Sequence, residues 1–268
     1  MTKSEQILLV GCGKMGGALI EGWIGRGVMP SAIFVIDPMQ PDVPTGVSIR
    51  DGFEAIPSAF EPTVVVLAVK PQVMDKVLVP YADVVRSETV FLSIAAGRTI
   101  ASFEAILGGD ARIVRAMPNT PAAVGRGITV LAGNANVSGA QREACESLMA
   151  AVGKVAWIDD ERLIDAVTGV SGSGPAYVFH LVEAMAAAGV TAGLAPALAM
   201  QLARETVVGG GELLGRSAEP AAALRENVTS PGGTTAAALE VLMSEDGLTE
   251  LMTRAILRAT ERSRELAG

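Results

Sequence analysis

The sequence predicts an α/β chain, with a doubly wound parallel sheet first and an all-helical domain after it. Three observations predict this. Short, continuous apolar runs recur through the first 158 residues with helical segments between them. A glycine cluster closes the first of these runs. From Glu161 onward no convincing strand follows, and long alanine-rich helical patterns take over. Apolar runs without alternation belong to strands covered on both faces, and their alternation with helices is the doubly wound arrangement. The expected domains are residues 1–158 and 159–268.

The first run is Ile-Leu-Leu-Val at residues 7–10, ending in Gly11, and a helical stretch follows over about 16–25. The second, residues 33–36, ends at Asp37. The third, 63–69, is continuous and β-branched, and three more lie at 89–95, 112–116 and 128–132. Beyond Ile158, helical patterns cover 161–170, 175–189, 196–215, 234–244 and 247–266, punctuated by Gly172, Gly174, Pro196, Pro220 and Pro231. Asp159, Asp160 and Glu161 suit a helix start, where carboxylates favour the exposed N–H groups. Residues 175–189 are apolar on nearly every face, which predicts burial all round. So small a domain cannot bury such a helix alone, so a partner subunit is expected to supply part of the cover.

Composition excludes several classes. The chain is 50% hydrophobic and 19% charged, too apolar for disorder and long enough for a sizeable core. Aromatics make up 4% and glycines number 30, so the core is built of small and branched aliphatic side chains. A net charge of −8 argues against nucleic acid, whose phosphates call for surplus lysine and arginine. Residues 159–268 carry 8 basic and 15 acidic side chains, and all five lysines (Lys3, Lys14, Lys70, Lys76, Lys154) precede them. Cys12 and Cys145 have neither metal-ligand nor disulfide-scaffold spacing, so no metal site is expected. Residues 1–6 are polar, unlike a secretory leader, and the apolar stretch 181–208 is broken by Glu183, Pro196 and Arg204. No membrane span is expected, and the location implied is a reducing cytoplasm.

The first chemical motif is Gly11-Cys12-Gly13-Lys14-Met15-Gly16, a GxGxxG that follows a strand, opens a helix and precedes an acidic strand end, Asp37, by about twenty residues. In the Rossmann dinucleotide fingerprint Gly11 permits the tight turn, Gly13 admits the pyrophosphate, and Gly16 lets helix and strand pack closely. The helix N-terminus offers free N–H groups to the anion. The alternative is a glycine turn of another α/β protein. Asp37 would hydrogen-bond the ribose 2′-OH of NAD and repel the 2′-phosphate of NADP, or it is a solvated strand-end carboxylate. Taken alone it favours NAD(H), since Pro38, Met39 and Gln40 bring no cation. Lys70, in Ala68-Val69-Lys70-Pro71, stands at the carboxyl end of a parallel strand, where ligands of such sheets bind, or is a surface lysine.

In the helical part, Ser171-Gly172-Ser173-Gly174-Pro175 and Thr229-Ser230-Pro231-Gly232-Gly233-Thr234-Thr235 each lead into a helix. Hydroxyls and amides at a helix N-terminus suit a small carboxylate, and they also serve as ordinary caps. The single histidine, His180, sits in the most apolar helix and reads as a core or interface residue ahead of a catalytic base.

With these motifs the sequence resembles pyrroline-5-carboxylate reductases along essentially its whole length. The segments are residues 10–17, 67–72 (LAVKPQ), 93–97 (SIAAG), 114–122 (VRAMPNTPA), 163–177 (LIDAVTGVSGSGPAY) and 224–239 (LRENVTSPGGTTAAAL). The resemblance implies a Rossmann domain plus an all-α dimerisation and substrate domain. It implies reduction of the C=N bond of 1-pyrroline-5-carboxylate by NADP(H) or NAD(H), giving L-proline, in a homodimer or higher oligomer. It places Gly11, Gly13, Lys14, Met15 and Gly16 on the pyrophosphate and Asp37 on the ribose. Ala68, Val69, Lys70, Pro71, Ile94, Ala95 and Ala96 would line the nicotinamide half, and Asn227 would reach the cofactor. Ser230, Gly232, Gly233, Thr234 and Thr235 would hold the substrate, with Thr235 near the ring nitrogen as the catalytic group. Glu161 matches a substrate-end position loosely. Members that prefer NADPH often carry small hydroxyl residues in place of Asp37, and many carry Asn in place of Gly52, so the cofactor preference stays open.

The rivals are a β-hydroxyacid dehydrogenase, a reductase of another cyclic imine, and a non-catalytic NAD(P)-binding regulator. The first uses a lysine early in its helical domain, and none follows Lys154 here.

Overall fold

The computed structural model describes residues 6–267. The polar residues 1–5 behind the expectation of no leader, Lys3 among them, lie outside the described residues. Eight strands form one sheet: β1 (Ile7–Val10), β2 (Ile33–Ile36), β3 (Ser48–Arg50), β4 (Val64–Leu67), β5 (Val90–Ser93), β6 (Arg112–Met117), β7 (Gly127–Gly133) and β8 (Gly153–Trp157). Their order is β3-β2-β1-β4-β5-β6-β7-β8. The first six strands follow the dinucleotide-binding order, with the chain reversing direction across the sheet between β1 and β4.

The continuous apolar runs have the expected cause. In β1, Ile7 and Leu9 face a core shared with Leu19, Ile20 and Trp23 of helix α1 (Lys14–Gly25) and with Cys145, Leu148 and Met149 of α4 (Gly139–Ala150). Leu8 and Val10 face the opposite core, with Met74 and Leu78 of α2 (Pro71–Leu78) and Phe103 and Leu107 of α3 (Ile100–Leu107). A strand with period-two side chains needs apolar residues at every position when both faces are covered. Helix α4 is started by a reciprocal cap in which Ser138 and Gln141 exchange side chain-to-backbone bonds.

One expectation needs correction. The sheet is not wholly parallel, because β7 runs antiparallel to β6. A parallel return needs a crossover of a dozen residues or more, and the link here is a short turn around Thr120–Val124. β8 then pairs parallel to β7 across α4. The short edge strand β3 and β8 were not among the expected runs.

The helical remainder contains α5 (Ile164–Val167), a π-helical turn at Thr168–Gly172, α6 (Gly174–Thr191), α7 (Pro196–Arg216), α8 (Ala221–Asn227), α9 (Thr234–Leu242) and α10 (Leu248–Ala267). By packing, the chain divides into two compact units, although the change from strands to helices suggests a boundary at 158/159. The first unit runs to Gly172 and takes back the end of α10 from Ala259; the second is Ser173–Arg258. Within the first unit, Ser263 Oγ donates to Asp165 at 2.7 Å. Gly97, at φ 68°, lies against α10 so closely that a Cβ would stand 3.2 Å from the Leu266 carbonyl.

In the second unit α6 and α7 pack on each other. Helix α6 is not buried all round within the single chain: only Ala186 is buried, and Phe179 is 65% exposed. Leu181, Met185, Leu198, Leu202, Leu213 and Leu214 are exposed as well. His180 is exposed too and shares a 3.0 Å contact with Glu183 one turn on, so it is no core histidine of this chain. Among the described residues no helix is long and apolar enough to cross a membrane.

Candidate active site

The glycine turn joins β1 to α1 at the carboxyl edge of the sheet. Gly11 has φ 92°, and a Cβ there would lie 2.9 Å from the Ala68 backbone, so the turn rests directly on the chain leaving β4. A Cβ on Gly16 would lie 2.7 Å from the Gly11 carbonyl. Gly13, by contrast, has open space where a Cβ would stand. It is the N-cap of α1 and no side chain caps that helix, so its first amides have no capping acceptor. The two tight glycines shape the turn and the third leaves room over an electropositive helix end. These residues fit a dinucleotide pyrophosphate.

The neighbouring strand ends are joined to this turn. Ala68 N donates to Val10 O at 2.8 Å, and Ile94 N to Leu67 O at 3.0 Å. The structure therefore brings Gly11, Ala68, Val69 and Ile94 to one edge. Ala95 is buried and donates its N–H to Ser93 Oγ, while Ala96 is exposed. Lys70 is the N-cap of α2 with no side-chain cap bond, and it is exposed ahead of Pro71, the first helical residue. Lys14 is exposed at the start of α1, while Met15 packs partly on the core. Asp37, at the end of β2, accepts the Cys12 N–H at 2.7 Å and the Met39 N–H at 2.8 Å. Burial and the Asp37 charge push the Cys12 thiol above its ordinary range.

Glu161 has structural partners. Its Oε1 accepts the Ile100 N–H at 2.8 Å and Arg115 Nη1 at 3.0 Å. Arg115 is buried in β6, so this carboxylate holds the first turn of α3 and neutralises a guanidinium at the sheet. Asn119 was not singled out from sequence. Its Oδ1 accepts the Ile128 N–H at 2.9 Å and its Nδ2 donates to Ser171 Oγ at 3.3 Å. It thus ties the VRAMPNTPA segment to the π-helical turn that leads into α6. An asparagine between two prolines in a loop carries no signal of these long-range partners.

In the second unit, Asn227 ends α8, and its Nδ2 donates to Glu219 at 3.3 Å. Thr229 Oγ1 donates to Arg225 O at 2.6 Å. Gly233 N donates to Ser230 O at 3.0 Å across a turn in which Gly232 has φ 67°. Gly233 is the N-cap of α9, and no side chain caps it. The hydroxyls of Ser230, Thr234 and Thr235 are therefore not used as caps on α9, which was the ordinary alternative. Thr235, the second residue of α9, is exposed. The loop at Ser173 likewise lacks a side-chain cap on α6. Uncapped amides beside free hydroxyls suit a small carboxylate. Among the described residues, no group of three or more His, Cys, Asp or Glu side chains is arranged to hold a metal ion.

Comparison with known proteins gives the family. Residues 161–266 match the family model described as pyrroline-5-carboxylate reductase dimerisation, and residues 6–97 match one described as NADP oxidoreductase, coenzyme F420-dependent. A pyrroline-5-carboxylate reductase of Pseudomonas aeruginosa is 42% identical over 98% of this chain and 97% of its own length. That of Escherichia coli is 37% identical over 98% of both. Among solved structures, the reductase of Coxiella burnetii superposes with a TM-score of 0.91 at 35% identity, covering 99% of this chain and 100% of that one. The Plasmodium falciparum enzyme, solved with NADP bound, does so at 0.81 and 28%, covering 100% of both. The same segments that shape the glycine turn and the Ser230–Thr235 loop lie within this full-length match, and the chain belongs to the pyrroline-5-carboxylate reductase family.

Proposed function

We propose that this protein reduces the C=N bond of 1-pyrroline-5-carboxylate with NAD(P)H to give L-proline. The observation that carries the reading is the N-terminus of α9, where the Ser230–Thr235 loop offers uncapped amides and free hydroxyls in a chain of this family. When bound to the glycine turn, NAD(P)H supplies a hydride to the imine carbon, and with the proton on nitrogen the products are the secondary amine and NAD(P)⁺.

The amides at the start of α9 bind the substrate carboxylate, and the Gly232–Gly233 backbone makes room for it. The Thr235 hydroxyl holds the proton at the ring nitrogen, which keeps the carbon electrophilic. Orientation of the two reactants supplies much of the rate. A lysine Schiff base has no candidate in the helical part, where no lysine occurs.

The working assembly is a homodimer built through the helical part. Phe179, Leu181, Leu198 and Leu213 are exposed apolar side chains of α6 and α7 that a second copy would cover, and residues 161–266 match a dimerisation model. No nucleic acid takes part, given the surplus of carboxylates, and the cytoplasm is the location that suits a chain with two cysteines and no disulfide-scaffold spacing.

The test is a spectrophotometric assay with 1-pyrroline-5-carboxylate, run in parallel with NADH and NADPH, with proline identified as product. Cofactor oxidation with stoichiometric proline is expected. A folded dimer that oxidises neither cofactor with this imine, yet does so with a six-membered imine, would move the substrate assignment. Binding without turnover on any imine would leave the regulatory reading.

A further inference from the structure

Asp37 is held more firmly than a strand-end carboxylate needs to be. Its own N–H donates to Arg50 O of β3 at 2.9 Å, which fixes its backbone to the neighbouring strand. One carboxylate oxygen takes the Met39 N–H and the other takes the Cys12 N–H in the glycine turn. The turn that follows is closed by Gln40 N to Asp37 O at 3.0 Å. Gln40 has φ 41°, the one non-glycine residue with positive φ among those described. That conformation is costly for a side chain other than glycine, and it persists where surrounding bonds over-determine it.

A carboxylate has about four acceptor positions over its two oxygens. Two are used internally, one on each oxygen, and the remaining pair accepts hydrogen bonds and nothing else. The two hydroxyls of an unmodified ribose supply donors of that kind. A 2′-phosphate supplies acceptors and about two negative charges. Pro38, Met39 and Gln40 carry no cation to offset them. On the adjacent strand, the exposed Arg50 donates Nη1 to its neighbour's carbonyl, Ile49 O, at 2.6 Å.

We propose that Asp37 does two things at once: it braces the glycine turn through the Cys12 amide, and it makes this enzyme select NADH over NADPH. The inference rests on the reading that the turn holds a nicotinamide dinucleotide. It carries a consequence that a simple charge filter would not. The Cys12 amide takes one oxygen and the Met39 amide the other, so a substitution that leaves a single acceptor oxygen gives up one of these bonds and loosens the hold on the glycine turn. Asp37→Asn and Asp37→Ser will gain NADPH binding relative to NADH, and neither will bind NADPH as tightly as the native protein binds NADH.

The experiment is a fluorescence titration of the full-length dimer with NADH and with NADPH, without imine. It is repeated on Asp37→Asn, Asp37→Ser and Arg50→Ala, with thermal melts of each. The native protein is expected to bind NADH about tenfold or more tighter, a difference of roughly 1.4 kcal/mol or more. The ratio is expected to fall to within about threefold in Asp37→Asn and to stay unchanged in Arg50→Ala. Equal binding, or tighter NADPH binding, by the native protein overturns the proposal even if every variant fails to fold. Tighter NADPH binding that Arg50→Ala abolishes would identify Arg50 as the phosphate partner instead. A variant that binds NADPH as tightly as the native protein binds NADH would remove the bracing role. If neither cofactor binds the folded native dimer, the reductase reading fails with this one; a reversed preference sinks this one alone.

Discussion

Thr235, Glu161 and Cys12 each carry a separate expectation. Thr235→Ala removes the polar contact proposed at the ring nitrogen and should lower kcat by about ten- to a hundredfold; an unchanged rate takes Thr235 out of the mechanism. Glu161→Ala strands the buried Arg115 guanidinium and should cost about 3 kcal/mol in chemical denaturation, since breaking a buried pair leaves an uncompensated charge. Glu161→Gln keeps an acceptor oxygen for the Ile100 N–H and Arg115 but not the charge, and should cost less than the alanine while still destabilising. A large KM effect from Glu161→Gln in a protein of normal stability would assign it a substrate role as well. The Cys12 thiol titrates above its ordinary range through burial first and the Asp37 charge second. Less thiolate is therefore present at any pH below that range, and iodoacetamide should alkylate Cys12 more slowly than free cysteine at pH 8. Asp37→Asn removes one of the two causes and should speed alkylation, followed by mass spectrometry. At this scale the sequence was legible where a residue's task is local. Gly11, Gly13 and Gly16 could be read from spacing, because strand, turn and helix are contiguous. The brace from Asp37 to Cys12, the Arg115–Glu161 pair and the Asn119 tie span 25 to 52 residues, and no local pattern encodes them.

Among the elements, the strands were read well because both faces of the sheet are covered, which leaves continuous apolar runs. The direction of β7 follows from the length of its connection, a signal present in the sequence and weaker than its hydrophobicity. The edge strand β3 is exposed at Arg50 and only half-buried elsewhere, so its three residues lack an apolar run. Helix α6 shows the opposite case. Its apolar pattern reads as burial all round, whereas in the single chain only Ala186 is buried, and a second copy of the chain is the cover proposed for it. Phe179→Asp should therefore weaken self-association by about 2 kcal/mol or more, as loss of an aromatic anchor does. Analytical ultracentrifugation would show a dimer dissociating at higher protein concentration than the native one. An unchanged dimer would place the interface on another face of the second unit.

At the scale of the whole molecule, the proposed division of labour sets the glycine turn in the strand-rich part and the substrate loop in the helices, with Asn227 of α8 the one cofactor residue expected from the helical side. The packing units differ from that division in one respect. The end of α10 belongs to the first unit, with Leu266 against Gly97 and Ser263 on Asp165. During synthesis, amino-terminal domains ordinarily fold as soon as they leave the ribosome. Here a nascent chain that already exposes every strand and the glycine turn still lacks the segment that covers Gly97. That segment is made after α6, α7, α8 and α9. The dinucleotide half can be completed only after the whole helical part has been translated. A gene fragment truncated at residue 158, though it would encode the entire sheet, would yield a protein with an open flank beside the SIAAG segment.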